Sequence, residues 1–234
     1  MSGRPGEALR RVERELERRF RTAVTRLTLA GREVVIMHPA NSEELIDEDA
    51  FEKDERLPYW ADLWPSARVL AEVVARMAGA GKALLELGCG SGLVATAAAI
   101  AGFEVHATDY YDDALRFTRL NVWRNAGVDP GTRHVDWRRL PKDLGRYDVV
   151  VASDVLYERP YAELVARAME ASIRPDGLIL LADPGRLAMD DFLAQAKARG
   201  LALRNAERVR FAEDRIRQTI TVYDLRPGPA DSDH

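Results

Sequence analysis

Cysteine is nearly missing from this chain: Cys89 is its one thiol. No disulfide can form within these 234 residues, which fits a reducing compartment. Long apolar runs are missing too. The longest near-apolar stretch, residues 93–103, falls short of the ~20 residues that cross a bilayer. The Arg/Glu-rich N-terminal stretch offers no apolar segment of the kind that directs secretion. These absences lead us to expect a cytoplasmic protein with no membrane partner. An excess of positive charge is absent as well; the net charge of −4 argues against general nucleic-acid binding. The four histidines, His38, His106, His134 and His234, have no ligand spacing among themselves or with Cys89, so no metal is expected. Neither a Gly-x-Ser-x-Gly elbow nor a phosphate-loop lysine motif occurs. The remaining composition, 47% hydrophobic and 31% charged, is that of a globular protein, long enough for one domain and an appendage.

What is present centres on residues 84–92, Leu-Leu-Glu-Leu-Gly-Cys-Gly-Ser-Gly. An apolar run reaches Glu86, and glycines follow at alternate positions, Gly88, Gly90 and Gly92, just before a helix-like run. Such glycines let backbone approach a ligand closely, and the following helix directs its free N–H groups at it. In the dinucleotide fingerprint, counted from Gly88, the third glycine would fall at position 93, which is Leu93. Here it arrives one residue early, and Glu86 stands two residues before Gly88. That arrangement suits a ligand with amino and carboxylate ends in place of a pyrophosphate. A glycine-rich turn without a ligand is the simpler alternative.

From residue 82 onward, strands are expected at 83–87, 103–108, near 132–135, 147–153 and 178–182. Helices are expected at 91–101, 111–126, 159–172 and 187–199. Pro175-Asp176-Gly177 reads as the break between the third of these helices and its strand. Two closing strands, about 202–211 and 217–225, form a hairpin and so supply one antiparallel strand. The fold class is therefore α/β: a Rossmann-like, seven-stranded, mostly parallel sheet with helices on both faces. An N-terminal extension, residues 1–55, holds an amphipathic helix at 6–22 with Leu9, Val12, Leu16, Phe20 and Val24 on one stripe. A hairpin turning at Gly31 follows it. The main domain spans 56–226, and the Pro/Gly/Asp-containing residues 227–234 read as a frayed tail. Between Asn41 and Asp62, nine acids stand against Lys53 and Arg56, either a solvated face or a rim that draws a basic surface.

Open α/β sheets bind ligands beyond the carboxyl ends of their strands, so those ends supply the candidates. Asp109 closes the second strand, placed to accept from a ribose diol or to cap the next helix. Asp136 and Trp137 follow the third strand, as an acceptor for an adenine amino group and a ring over its face, unless Trp137 is ordinary core. Ser153, Asp154 and Tyr157 follow the fourth strand; Asp154 is an abrupt charge after an apolar run, with Tyr157 on the same side if the chain turns helical there. A helix cap and a half-buried tyrosine would look the same in sequence. Asp183-Pro184-Gly185-Arg186 puts charge at the site edge. Tyr59, Trp60 and Trp64 form either an apolar wall over a ligand or an interdomain contact.

Over about residues 55–225 the chain resembles the class I S-adenosylmethionine (SAM) methyltransferases, specifically the seven-β-strand protein-lysine methyltransferases. The resemblance rests on Leu63-Trp64-Pro65-Ser66-Ala67, Glu86-Leu87-Gly88-Cys89-Gly90-Ser91-Gly92, Asp136-Trp137 and Asp154-Val155-Leu156-Tyr157, the D-x-x-Y motif of that group. Asp183-Pro184-Gly185-Arg186 is most similar to the branch acting on the electron-transfer flavoprotein β subunit. The resemblance implies SAM contacts for Trp64, Gly88, Cys89, Gly90, Asp109, Trp137 and Ser153, with S-adenosylhomocysteine as product. It also implies that Asp154 and Tyr157 face the acceptor nitrogen of a protein lysine. A small-molecule N-methyltransferase and a non-catalytic SAM-binding interaction module are the other two readings. Substrate, degree of methylation and oligomeric state are not written in the sequence.

Overall fold

The computed structural model describes residues 5–45, 58–213 and 215–228. Most of the acidic segment, the expected boundary near residue 55 and the last six residues of the tail lie outside them. In chain order the elements are α1 (Pro5–Arg19), β1 (Thr22–Leu29), β2 (Arg32–Pro39), α2 (Pro65–Ala75), β3 (Ala83–Leu87), α3 (Leu93–Ile100), β4 (Glu104–Asp109) and α4 (Asp112–Ala126). There follow β5 (Gly131–His134), β6 (Tyr147–Ser153), α5 (Tyr161–Ser172), β7 (Ile173–Asp183), α6 (Met189–Ala198), β8 (Leu201–Glu213) and β9 (Ile216–Pro227).

Strands β3 to β9 build one seven-stranded sheet in the order β5-β4-β3-β6-β7-β9-β8. All its pairs are parallel except the two made by β9, which runs against β7 and β8. Its central strands β3 and β6 are largely apolar on both sides because both sides are covered. Leu84, Val149, Val151 and Leu180 join the core under α2, α3 and α4, whereas Leu85, Leu87, Val150 and Ala152 join the core under α5 and α6. Strand order reverses at β3, with β4 on one side and β6 on the other. That switch point opens a crevice at the carboxyl ends, where the glycine loop emerges. Among the described residues, no helix is long and apolar enough to cross a membrane.

The N-terminal elements pack on this body. Leu16 of α1 is buried with Phe117 and Leu120 of α4. The β1–β2 hairpin turns at Ala30 (φ 48°) and Gly31 (φ 80°), the positive pair that matches strand twist in a two-residue turn. Two asparagines one helical turn apart on α4 then treat β2 as a ladder. Asn121 accepts from the Met37 N–H at 2.9 Å and donates to the Met37 carbonyl at 2.7 Å. Asn125 does the same with Val35, at 2.8 and 2.9 Å. Asn121 also donates to the Ser91 carbonyl at 2.8 Å, linking the hairpin to the glycine loop.

Two expectations need correction. The first helix stops at Arg19 instead of residue 22, and Val24 lies on β1, 51% exposed, not on the helical stripe. Pairing of β1 with β2 begins at Thr22, and that ladder overrides the fortuitous helical spacing. Pro175-Asp176-Gly177 also does not precede its strand. Strand β7 starts at Ile173, opposite Tyr147, and the next pair is Val149 with Leu178. The extra residues bulge from the strand, where proline's missing N–H costs no ladder bond.

Asn121→Ala should lower unfolding stability by about 3 kcal/mol, because it strands buried backbone groups of Met37 and Ser91 at roughly 1–3 kcal/mol each. Urea unfolding measures this. A loss below about 1 kcal/mol would mean that Asn121 does not hold the hairpin.

Candidate active site

The crevice opens to solvent, and aromatic rings and polar side chains both line it. Its floor is the glycine loop. Gly88, Gly90 and Gly92 all take positive φ, at 72°, 52° and 80°. Side chains are excluded as well as strained here: a Cβ on Gly90 would lie 2.9 Å from the Trp60 carbonyl, and one on Gly92 would lie 2.6 Å from the Thr118 Cα. The Gly88 and Cys89 N–H groups donate to the Thr108 carbonyl at 2.9 and 3.0 Å, which pins the loop to the end of β4.

Asp109 completes the loop. Its two carboxylate oxygens accept from the Gly90 N–H at 2.9 Å and the Tyr111 N–H at 3.0 Å. A carboxylate has about four acceptor positions, so capacity for a diol remains. Burial raises the Asp109 pKa despite these bonds. Glu86, also buried, is pushed well above the usual range, first by desolvation; its Oε2 has no hydrogen-bond partner. Cys89 accepts from the Thr118 hydroxyl at 3.2 Å, and burial drives its thiol pKa up, so it sits there neutral. Ser91 Oγ and Trp137 Nε1 are buried along the same crevice and likewise lack partners.

The adenine-side candidates differ in their engagement. The Trp137 indole edges against Gly88, about 3.4 Å from where its Cβ would be, and packs edge-on to Tyr161 at 5.8 Å. Asp136 lines the crevice, but it accepts from the Arg138 N–H at 3.0 Å and pairs with the Arg138 guanidinium at 2.9 Å.

At the opposite end Ser153, Asp154 and Tyr157 come together at the mouth of β6. The expected helical turn between Asp154 and Tyr157 is absent; the chain bends there, and α5 begins only at Tyr161. Alignment comes instead from Asp154 itself, a non-glycine residue at φ 59°. Tyr157 stacks at 4.6 Å on Tyr161 and meets Tyr59 at 5.3 Å. Asp154 is paired: its Oδ1 accepts from Arg186 Nε at 2.6 Å.

In the aromatic segment Tyr59, Trp60 and Trp64 all line the crevice, and Trp60 also packs against Phe117 at 5.8 Å and Phe20 at 6.2 Å. Trp64 donates its indole N–H to the Tyr59 carbonyl at 2.8 Å. Tyr110, Tyr111, Arg138 and Tyr161 also line the site and were not singled out from sequence. Tyr110 and Tyr111 directly follow the strand-end Asp109, a signal that was available.

The unpartnered carboxylate oxygen, the loop that tolerates no Cβ and the polar ends of Ser91 and Trp137 all fit a ligand with an amino-acid end, a diol and an aromatic base. Glu86→Gln should stabilise the ligand-free protein at pH 7. With its folded pKa raised above an ordinary ~4.3, Glu86 keeps its proton in the native state through the window above that value. Stability therefore falls as pH rises through this window. Unfolding from pH 4 to 8 should show the gain growing with pH and closing near pH 4; a constant difference would rule out titration of Glu86.

Comparison with known proteins agrees with this geometry. A family model described as "Methyltransferase domain" matches residues 59–226. The ubiquinone biosynthesis O-methyltransferase of Bordetella pertussis is 31% identical over 112 residues, 45% of this chain and 44% of that protein. The protein-lysine methyltransferase METTL21E of Mus musculus is 29% identical over 146 residues, 57% of this chain and 59% of that one. The electron transfer flavoprotein beta subunit lysine methyltransferase of Danio rerio is 29% identical over 138 residues, 57% and 53%. The chain thus spans about half the length of these relatives. Among solved structures, magnesium protoporphyrin IX methyltransferase from Synechocystis, with bound SAM, has a TM-score of 0.55 at 18% identity, covering 69% of this chain and 80% of that one. A TehB-like SAM-dependent methyltransferase from Corynebacterium glutamicum has a TM-score of 0.54 at 18% identity, covering 80% and 97%. Matched by the family model along most of its length, this chain belongs to the methyltransferase-domain family, and its cofactor is S-adenosylmethionine.

Proposed function

We propose that this protein transfers a methyl group from SAM to the side-chain nitrogen of a lysine in a protein substrate. The observation that carries this reading is Asp154, a 7% exposed carboxylate at the strand mouth, which lines the crevice together with Tyr59 and Tyr157, whose rings meet at 5.3 Å. Two relatives named for lysine methylation support it.

When bound, SAM supplies a methyl on a cationic sulfur, and that sulfur keeps the bonding pair and leaves as the thioether of S-adenosylhomocysteine while the acceptor nitrogen takes the methyl. Glu86 and the glycine loop would hold the amino-acid end, Asp109 the ribose, Asp136 and Trp137 the adenine, with Trp64, Cys89 and Ser153 lining the space between. Glu86 and Asp109, both penalised by burial, would be relieved by a cation beside them. On the acceptor side, a lysine of pKa ~10.4 costs about 4.6 kcal/mol to hold neutral at pH 7. The apolar rings of Tyr59, Tyr157 and Tyr161 reduce that cost by excluding water from the ammonium form. Asp154 then orients the amine rather than deprotonating it, and orientation supplies much of the acceleration.

The Bordetella relative, named for ubiquinone biosynthesis, supports a second reading in which the acceptor is a small molecule. Division into residues 1–55, 56–226 and 227–234, with the first part choosing the substrate, belongs to the same proposal. Incubating extracts with tritiated SAM and separating protein from small-molecule label distinguishes the readings; label confined to small molecules would overturn lysine methylation.

On the same preparation, Asp154→Asn should keep near-normal SAM affinity and lose turnover by ~10²-fold or more, the scale of losing one well-placed electrostatic contact. Tyr157→Phe should be milder, because the ring remains. Calorimetry alongside the methylation assay separates the two effects, and SAM affinity falling as far as turnover would reassign Asp154 to the cofactor.

A further inference from the structure

Asp154 is built into an ion pair, and the pair is built from below. Fully buried Asp183, at the end of β7, accepts from the N–H groups of Gly185 and Arg186 at 2.7 Å each. Gly185, at φ 92°, completes the turn. The turn delivers the Arg186 guanidinium to Asp154, where Nε and Nη2 both meet Oδ1. The guanidinium also stands 5.8 Å over the ring of Trp64, a wall of the crevice. Asp154 meanwhile holds its left-handed backbone and donates its N–H to the Ala182 carbonyl at 3.0 Å. Positive φ at a non-glycine residue survives only where the surroundings determine it, and here the Ala182 carbonyl and the Arg186 guanidinium do so.

We propose that Arg186 is the positioning residue of the acceptor site: it compensates the Asp154 charge so that the site takes the acceptor nitrogen as a neutral amine instead of trapping it as an ammonium. This rests on the lysine reading above. A bare carboxylate in contact with the acceptor would favour the ammonium form by one to three pKa units, and an ammonium has no lone pair with which to attack. A guanidinium is the side-chain cation whose charge is permanent, which suits it to this compensation. Paired with it, Asp154 presents little net charge yet keeps an oxygen able to accept an amine N–H and fix its direction. The crevice lining around Tyr59 and Trp64 also carries Asp62 and the phenols of Tyr59, Tyr157 and Tyr161, with Asp183 beneath Arg186, and none of these is a cation. Glu86 and Asp109 line the crevice beside the glycine loop.

The test uses the full chain saturated with S-adenosylhomocysteine and two probes of equal shape, n-butylammonium and 1-butanol. Calorimetry or NMR gives the ratio of their affinities. Wild type should discriminate weakly, and Arg186→Gln should favour the ammonium by about tenfold more, the lower end of the charge effect. Arg186→Lys, which keeps the charge, and Arg186→Gln combined with Asp154→Asn should each return the ratio to the wild-type value. Simple damage to the pocket would weaken both probes together and leave the ratio unmoved. An unchanged ratio in Arg186→Gln, or no ammonium binding to it at all, overturns the proposal. Wild-type methylation of extract proteins is scored separately. Label on lysine with an unmoved ratio removes only the role of Arg186, whereas label on small molecules alone removes the lysine reading.

Discussion

The 2.9 Å hydrogen bond from the Gly90 N–H to the buried Asp109 carboxylate fixes the glycine-loop side of the crevice. Three left-handed glycines in five residues would otherwise be the floppiest part of the chain, since glycine loses more freedom on ordering than any other residue. One carboxylate at the end of β4 locks the middle of that loop and, through Tyr111, the start of α4. Thr118 on α4 then closes beneath Gly92 and Cys89. The Trp60 carbonyl presses from the other side, so the loop is held in a vice with no space for a Cβ. The arrangement has an electrostatic cost. Asp109 and Glu86 share a dry site in which burial raises both pKa values, and the Asp109 charge raises that of Glu86 further. The two ends of the crevice are therefore unlike: beside the glycine loop the Glu86 carboxyl has an oxygen with no hydrogen-bond partner, whereas Asp154 at the other end is already matched by Arg186.

Much of the fold was legible because its signals are local. Buried parallel strands read as short apolar runs, the glycine loop marks the first strand end, and the closing pair of strands announces β9 as antiparallel. The misreadings share one cause, which is that tertiary partners outvote local pattern. Val24 matched a helical stripe until the ladder with β2 claimed it, and Pro175-Asp176-Gly177 matched a strand boundary although β7 runs through it with a bulge. The hairpin's attachment could not be read, because Asn121 and Asn125 look like ordinary surface residues of a helix until the strand they serve arrives from 84 and 90 residues away.

For the site, residues adjacent to strand ends were accessible to sequence reasoning, and their partners were not. Asp154 stands out after four apolar residues, yet its bond to Arg186 joins positions 32 apart. Asp136 reads as an adenine acceptor, but its neighbour two residues on already occupies part of it. Tyr161 has no motif, and it becomes a wall of the crevice only because α5 starts there and stacks it on Tyr157.

The sheet's outermost strand carries a further consequence. β8 is thirteen residues long and pairs on one side only, so it exposes a row of free backbone groups of the kind that recruits a foreign strand into aggregates. Two features stand against that. The register slips between Leu203 and Asn205, breaking the regular edge, and Arg208 and Arg210 crowd the solvent-facing stretch with bulky charge. At the other border, β5 is only four residues long. Both margins of the sheet are thereby poor templates for strand addition, which lets a long hairpin stand in water without seeding assembly.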